Sequence, residues 1–365
     1  MAKSSGAKGP RAQFPAYAAS RGAALQSAAI LAVLALAASA QPALAAGPND
    51  AEPSCTEIHV LVERPNGKLA CVTEETAGRL SWRILDAEAP EGAAPTLSDV
   101  PYGTHERNVF DFWRADSAGP APLMIYIHGG GFVSGDKSDV DKDDKGKIKE
   151  GLLDRGISVI SINYPFLDEA RIDGIVENAS QIIPYVQDNA EELGIDPGRV
   201  GIYGGSGGGG IALHLGLGEY SDQVSVIGHI TSQSTYDLLQ WFDILGIDPG
   251  DVERAPPGLI AAVLQLYHVG TLEEFEEPEI VKLRKAMDMP SFMDADDPPV
   301  YIQNYLVHDG IGNKGDVTHH PSHAVFLKEK CDEAGLECVL NLAGTPEDRR
   351  VDAASFFDRM LRQES

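Results

Sequence analysis

Short apolar runs rich in Val, Ile and Leu recur along this chain at Leu123–Ile127, Ile157–Ile162, Val200–Tyr203, Val224–Ile230, Val300–Val307 and Glu337–Leu342. Each is too short for a helix and lacks the polar alternation of a strand with one wet face. Such runs read as strands covered on both sides, as in a parallel sheet. Parallel neighbours need long crossovers, and the intervals supply them. Ile172–Leu193 carries apolar residues at helical spacing, and a further helical stretch follows at Pro321–Ala334. Strand-helix alternation of this kind gives an α/β class fold with a mostly parallel, doubly wound sheet.

Two intervals break the alternation. Ile58, Val60, Val62, Leu69 and Cys71 alternate around Pro65-Asn66-Gly67, which predicts a β-hairpin within an N-terminal extension and linker at residues 46–101. From Ser232 to Asp297 the pattern is helical, at Leu259–His268 and Leu272–Met287, broken by Pro256-Pro257 and Pro290, with no strand-like run. That is a helical cap, residues 232–298, inserted after a strand and dividing the α/β core into residues 102–231 and 299–365. Leu193-Gly-Ile-Asp-Pro-Gly198 recurs as Leu245-Gly-Ile-Asp-Pro-Gly250. Both copies read as a helix end followed by a turn, not as a domain repeat.

Acidic residues number 55 against 29 Lys plus Arg, a net charge of −26. The field of such a chain repels phosphate backbones, so nucleic acid is excluded as a partner. The first 49 residues are a different material: no Asp or Glu, four basic residues (Lys3, Lys8, Arg11, Arg21), then an apolar run from Ala28 to Ala38. Basic then apolar, with small residues at Ala38-Ser39-Ala40 and Ala43-Leu44-Ala45 that both fit a cleavage site, the second preferred, predicts a signal peptide at residues 1–45 and export to the periplasm or the medium. The apolar run falls short of the ~20 residues that span a bilayer, so no stable membrane span is expected after cleavage. Removing four positive charges takes the mature chain from −26 to −30. Export permits disulfides among Cys55, Cys71, Cys331 and Cys338. Three connectivities are open, with pairing of sequence neighbours preferred.

Two glycine motifs carry the chemistry. Gly204-Gly205-Ser206-Gly207-Gly208 lies between the strand Val200–Tyr203 and the apolar helix Ile211–Leu217. A serine on so tight a strand-to-helix turn has strained backbone angles, and small neighbours let two backbones pass. No Lys-Ser/Thr follows, which excludes a nucleotide phosphate loop. His128-Gly129-Gly130-Gly131-Phe132 directly follows the strand Leu123–Ile127. Consecutive glycines expose backbone N–H groups, the means of stabilising an oxyanion without reorganisation. Gly129, Gly130 and Gly207 are the expected donors, and Ser206 the nucleophile.

These motifs, with Tyr102-Gly103, Asp111, Gly135-Asp136, Asn163-Tyr164 and the run from Leu193 to Val200, resemble the α/β-hydrolase carboxylesterases. The likeness is to the branch of hormone-sensitive-lipase-like and bifunctional acetylxylan/feruloyl esterases, and it runs from Tyr102 to the C-terminus. It implies ester hydrolysis through an acyl-serine, with an Asp after the penultimate strand and a His after the last. The implied substrate is a small-molecule or polysaccharide-linked ester. No cofactor and no metal is implied.

The sequence departs from that pattern in one place. After the last strand the loop reads Ala343-Gly-Thr-Pro-Glu-Asp-Arg-Arg350, and no His occurs beyond His323. Asp316 fits the acid position, with Asp309 as its rival, and His319, His320 and His323 lie downstream of it. A triad is defined by geometry and roles, so one of these three histidines can serve as the base. The alternative is a catalytically impaired hydrolase scaffold retained as a binding protein. Asp139, Asp141, Asp143 and Glu150 have the spacing of a calcium loop, but Asp144 stands where the sharp turn requires Gly, so a solvated acidic loop is expected.

Overall fold

A computed structural model describes residues 60–63, 69–72, 83–84, 94–142, 147–246, 258–307, 311 and 313–363. The expected signal peptide and its cleavage site, Cys55, the Pro65-Asn66-Gly67 turn, residues 143–146 of the would-be calcium loop and Asp309 lie outside these residues. The chain divides into two compact units, each taken by itself. The smaller contains β1 (Val60–Glu63), β2 (Leu69–Val72) and β3 (Arg83–Ile84). The hairpin read from the alternation is present as the antiparallel β1–β2 pair, with Val60 opposite Val72. β3 adds a short antiparallel strand on the other side of β1.

The larger unit is built on eight strands: β4 (Leu97–Pro101), β5 (Val109–Trp113), β6 (Ala121–Ile127), β7 (Ser158–Ile162), β8 (Ile195–Gly205), β9 (Val226–Ile230), β10 (Val300–Asn304) and β11 (Cys338–Leu342). Their order across the sheet is β11-β10-β9-β8-β6-β7-β5-β4. Pairing is parallel from β7 to β11 and antiparallel for β4–β5 and β5–β7. β4 corrects the sequence reading: Leu97–Pro101, assigned there to the linker, is the edge strand of the main sheet. β6 and β7 are buried along their whole length, the two serines of β7 being satisfied there, Ser158 Oγ by Ala115 N and Ser161 Oγ by Lys137 O.

Helices cover both faces. The helix Gly207–Leu217 is buried at every position, apolar all round because protein surrounds it. The helix Ala353–Leu361 is amphipathic: the Asp352 carboxylate accepts from Ser355 N, and Ala353, Ala354, Phe356, Phe357, Met360 and Leu361 are buried. Each large side chain on that face contributes about 1.5–3 kcal/mol on leaving water. Its rings meet Tyr203 and Tyr301 at centroid distances of 5.5–5.7 Å. The stretch Ile172–Leu193, read as one helix, is three segments, Ile172–Ser180, Ile182–Asp188 and Ala190–Leu193. Pro184 is the reason, since its missing N–H and its ring interrupt the ladder near the first break. The helix Pro321–Ala334 matches its expected bounds, and Cys331 near its end is bonded to Cys338 in β11, Cα to Cα 6.1 Å.

Between β9 and β10 the described residues are helical, at Leu238–Leu245, Leu259–Leu266, Leu272–Phe275 and Pro278–Ala286. Arg284, 5% exposed, ties this region together through Asp237 and Glu276. Among the described residues no helix is long and apolar enough to cross a membrane, and no group of three or more His, Cys, Asp or Glu could hold a metal ion.

Candidate active site

Ser206 closes the turn between β8 and the helix Gly207–Leu217 with φ 52° and ψ −126°, a conformation L-residues rarely hold. The surroundings determine it. Ser206 N donates to Ile230 O at 3.1 Å, and Ser206 O accepts from Gly209 N at 3.0 Å and from Ser232 Oγ at 2.5 Å. A Cβ on Gly208 would lie 2.0 Å from Ile127 O, and on Gly204 2.6 Å from the same oxygen. Two backbones pass there at a separation that only glycine permits.

The loop after β6 packs against this turn. A Cβ on Gly129 would come within 3.1 Å of Ser206 Cβ, and Gly130 has φ +99°. His128 is fully buried and stacks on Tyr164 at 4.3 Å, and its Nδ1 meets Gly129 O at 2.8 Å. Burial lowers the His128 pKa, so the ring is neutral and acts as a structural wedge. Tyr164 Oη donates to His128 O at 2.8 Å. Behind it, Tyr102 Oη donates to Asn163 O at 2.5 Å, Lys137 N to Asn163 Oδ1 at 2.6 Å and Asn163 Nδ2 to Asp136 Oδ2 at 2.9 Å. Burial pulls the Asp136 carboxyl upward, but its hydrogen bonds from Ser138 and Asn163 prevail and hold it at about 2. Asp111 receives the Lys137 ammonium at 3.0 Å. The scattered residues of the sequence likeness thus form one scaffold beneath the glycine loop.

The histidine comes from the segment after β10. His319 Nε2 lies 2.7 Å from Ser206 Oγ. Three unrelated contacts place it. Asn304, buried at the end of β10, donates from Nδ2 to His319 O at 2.8 Å. Asn313 and Asp316 form a reciprocal cap on the short helix Lys314–Thr318, which ends at His319. His323 Nε2 meets Val317 O at 3.0 Å while its Nδ1 faces Ser234 Oγ at 3.2 Å. Of the other two histidines proposed from sequence, His320 caps the next helix by accepting from Ser322 N, and His323 is fully buried. Desolvation first, with neighbouring histidines adding to it, depresses the His323 pKa to about 3. A base must reach the serine and titrate, and a ring sealed in the core does neither. Asp316 lies one helical turn before His319, its Oδ2 accepting from Asn313 N and Nδ2 at 2.9 Å.

A cavity of about 770 Å³ opens above Ser206 and His319. Gly129, Gly130 and Gly207 form part of its floor, and Trp241, Leu259, Val263 and Leu266 from the inserted helices form an apolar wall. Asn304 and Ser232 were not found from sequence, because each acts by a side chain meeting a backbone atom distant in the chain; Asn163-Tyr164 was singled out by the family resemblance alone, with no role attached. The acidic loop contributes ion pairs, Asp139 to Lys142 at 2.9 Å and Asp141 to the buried Lys149.

A serine on a strained strand-to-helix turn, with a glycine loop against it and an imidazole on its hydroxyl, places this chain among the α/β-hydrolases. The family model for BD-FAE matches residues 112–304, more than half of the chain, and the protein belongs to that family. Acetyl esterase of Salmonella schwarzengrund is 26% identical over 207 residues, 55% of this chain and 59% of that protein. A probable isoprenylcysteine alpha-carbonyl methylesterase of Oryza sativa subsp. japonica is 31% identical over 152 residues, 40% of this chain and 33% of that protein. The match therefore spans little more than half the length of the acetyl esterase and less of the methylesterase. Among solved structures, a truncated carbohydrate esterase from gut microbiota superposes with a TM-score of 0.56 at 19% identity, covering 73% of this chain and 96% of the other. A bacterial heroin esterase gives 0.51 at 21% identity, covering 73% and 84%. These two likenesses are of fold.

Proposed function

We propose that this protein is an exported serine carboxylesterase working through an acyl-serine, and the 2.7 Å approach of His319 Nε2 to Ser206 Oγ carries the reading. His319 takes the Ser206 hydroxyl proton as Oγ bonds to the ester carbonyl carbon. The carbonyl oxygen becomes an oxyanion facing the N–H groups of Gly129, Gly130 and Gly207, the last belonging to the first turn of its helix and so without an intrahelical partner. Collapse breaks the ester C–O bond, and His319 returns the proton to the departing alkoxide. Water then repeats the sequence on the acyl-enzyme, releasing the acid. Asp316 orients His319 through the turn that it caps. The names of the matched relatives support an ester substrate, and the apolar cavity wall suits an uncharged acyl group. Export is supported by the Cys331–Cys338 disulfide, a bond that persists in oxidising compartments.

Turnover of p-nitrophenyl acetate and labelling by a fluorophosphonate test this reading. Both are expected from the native chain and neither from Ser206→Ala. A native rate equal to that of Ser206→Ala, with no label on Ser206, would return the protein to the class of hydrolase scaffolds without catalysis.

A further inference from the structure

The wall of the active-site cavity is electrostatically unlike the molecule that carries it. In a chain with 55 acidic residues and a charge of −26, Asp139 is the one carboxylate among the described residues that line the cavity, and it is engaged by Lys142 at 2.9 Å. Lys314 lines the same cavity, is exposed, and has no ion-pair partner among the described residues. Gln303 also lines it, with Oε1 accepting from Tyr301 Oη at 2.8 Å, which leaves its amide N–H groups as the polar face toward a ligand. Lys314 and the Gln303 amide thus offer a cation and a donor, with the Thr318 hydroxyl also on the lining, a set complementary to an anion that accepts hydrogen bonds.

Resting on the esterase reading above, we propose that the ester carries a carboxylate and that Lys314 binds it. Lys314 opens the short helix that His319 caps, five residues on, a backbone rise of about 7.5 Å. A carboxylate there lies roughly one six-membered ring away from the ester carbonyl held at Ser206. The substrate class is an ester of a carboxylated ring, an acidic sugar or an aromatic acid. The long-range field of the protein repels such a ligand, so a local cation is needed to admit it.

Binding and turnover are measured separately so that the two proposals fail separately. Titration calorimetry on full-length Ser206→Ala compares 4-acetamidobenzoate with uncharged 4-acetamidobenzamide. The carboxylate is expected to bind about tenfold more tightly, with the preference shrinking as salt is raised. The preference should disappear in Ser206→Ala/Lys314→Gln and persist in Ser206→Ala/Lys314→Arg, and Lys328→Gln, remote from the cavity, should leave it intact. Equal binding of the two compounds, or a preference that survives Lys314→Gln, overturns the subsite. With Ser206 present, kcat/KM for 4-acetoxybenzoate over that for phenyl acetate should fall about tenfold on Lys314→Gln. Absence of turnover on both esters with the binding preference intact would sink the esterase reading and leave the anion subsite standing.

Discussion

Ser206 and His319, the two halves of the proposed catalytic pair, are held in opposite ways. The serine side is fixed by backbone: Ser206 at φ 52°, Gly130 at φ +99°, and a Gly208 that a single methyl would drive to 2.0 Å from Ile127 O. Those conformations demand particular residues at consecutive positions, so they are written in the sequence as contiguous motifs. The histidine side is fixed by side chains from separate places, Asn304 on the carbonyl of His319 and His323 on that of Val317, with the Asn313–Asp316 cap before them. An imidazole has only to reach Oγ with one nitrogen, and more than one loop at this end of the sheet can deliver it. The serine side is therefore conformationally constrained, while the histidine that meets it sits in the turn after β10, not in the loop after β11 where the family resemblance implies one.

The largest expected effect tests that relocation directly. His319→Ala should lower kcat by about 10⁶-fold, close to the loss in Ser206→Ala, because the two residues act as one unit. His320→Ala should stay within a few-fold, since its ring serves the next helix by accepting from Ser322 N. Steady-state kinetics on p-nitrophenyl acetate decides it. A His319→Ala enzyme within tenfold of native would break the comparison and send the search for the base elsewhere.

That asymmetry also explains what could be read in advance. The parallel sheet, the elbow and the glycine loop follow from apolar runs and from glycine, features that occupy contiguous residues. The ends of elements were less legible because side chains set them. β10 stops at Asn304, three residues short of the apolar run, where the Asn304 side chain turns to accept from Leu306 N and to hold His319. The choice among His319, His320 and His323 rested on which way each ring points after a short helix, and no periodicity encodes that. β4 escaped notice because its five residues are nearly all exposed, giving no apolar run to find.

The second expected effect sharpens the contrast by acid. His323, and likewise His214 and His229, are buried, and desolvation lowers their pKa values to about 3, 3 and 4. Because the folded values lie below the usual 6.5, the unfolded chain binds protons that the folded one refuses. Their contribution is complete above pH 6.5 and is lost as pH falls toward 4 and then 3. The slope is about 1.4 kcal/mol per pH unit for each ring, roughly 4 kcal/mol for three together. Urea unfolding at pH 7.5, 6.5 and 5.5 should show nearly constant stability across the first interval and a steep fall across the second. A flat profile down to pH 5 would mean that these rings are not sealed. His323 anchors the turn that carries His319, so acid should weaken the histidine side even while the glycine-locked elbow keeps its shape.

The smallest effect concerns a side chain that the serine side borrows. Ser232 Oγ donates to Ser206 O, an oxygen already held by Gly209 N, so the contact reinforces a backbone that other bonds maintain. Ser232→Ala should therefore cost only about 1 kcal/mol, seen as a three- to tenfold fall in kcat with KM little changed, because the hydroxyl positions the nucleophile without touching substrate. Ser232→Thr, which keeps the hydroxyl, should recover most of the rate. A loss as large as that of His319→Ala would show the elbow to depend on a remote side chain as much as the histidine does, and the distinction between a backbone-held nucleophile and a side-chain-held base would collapse.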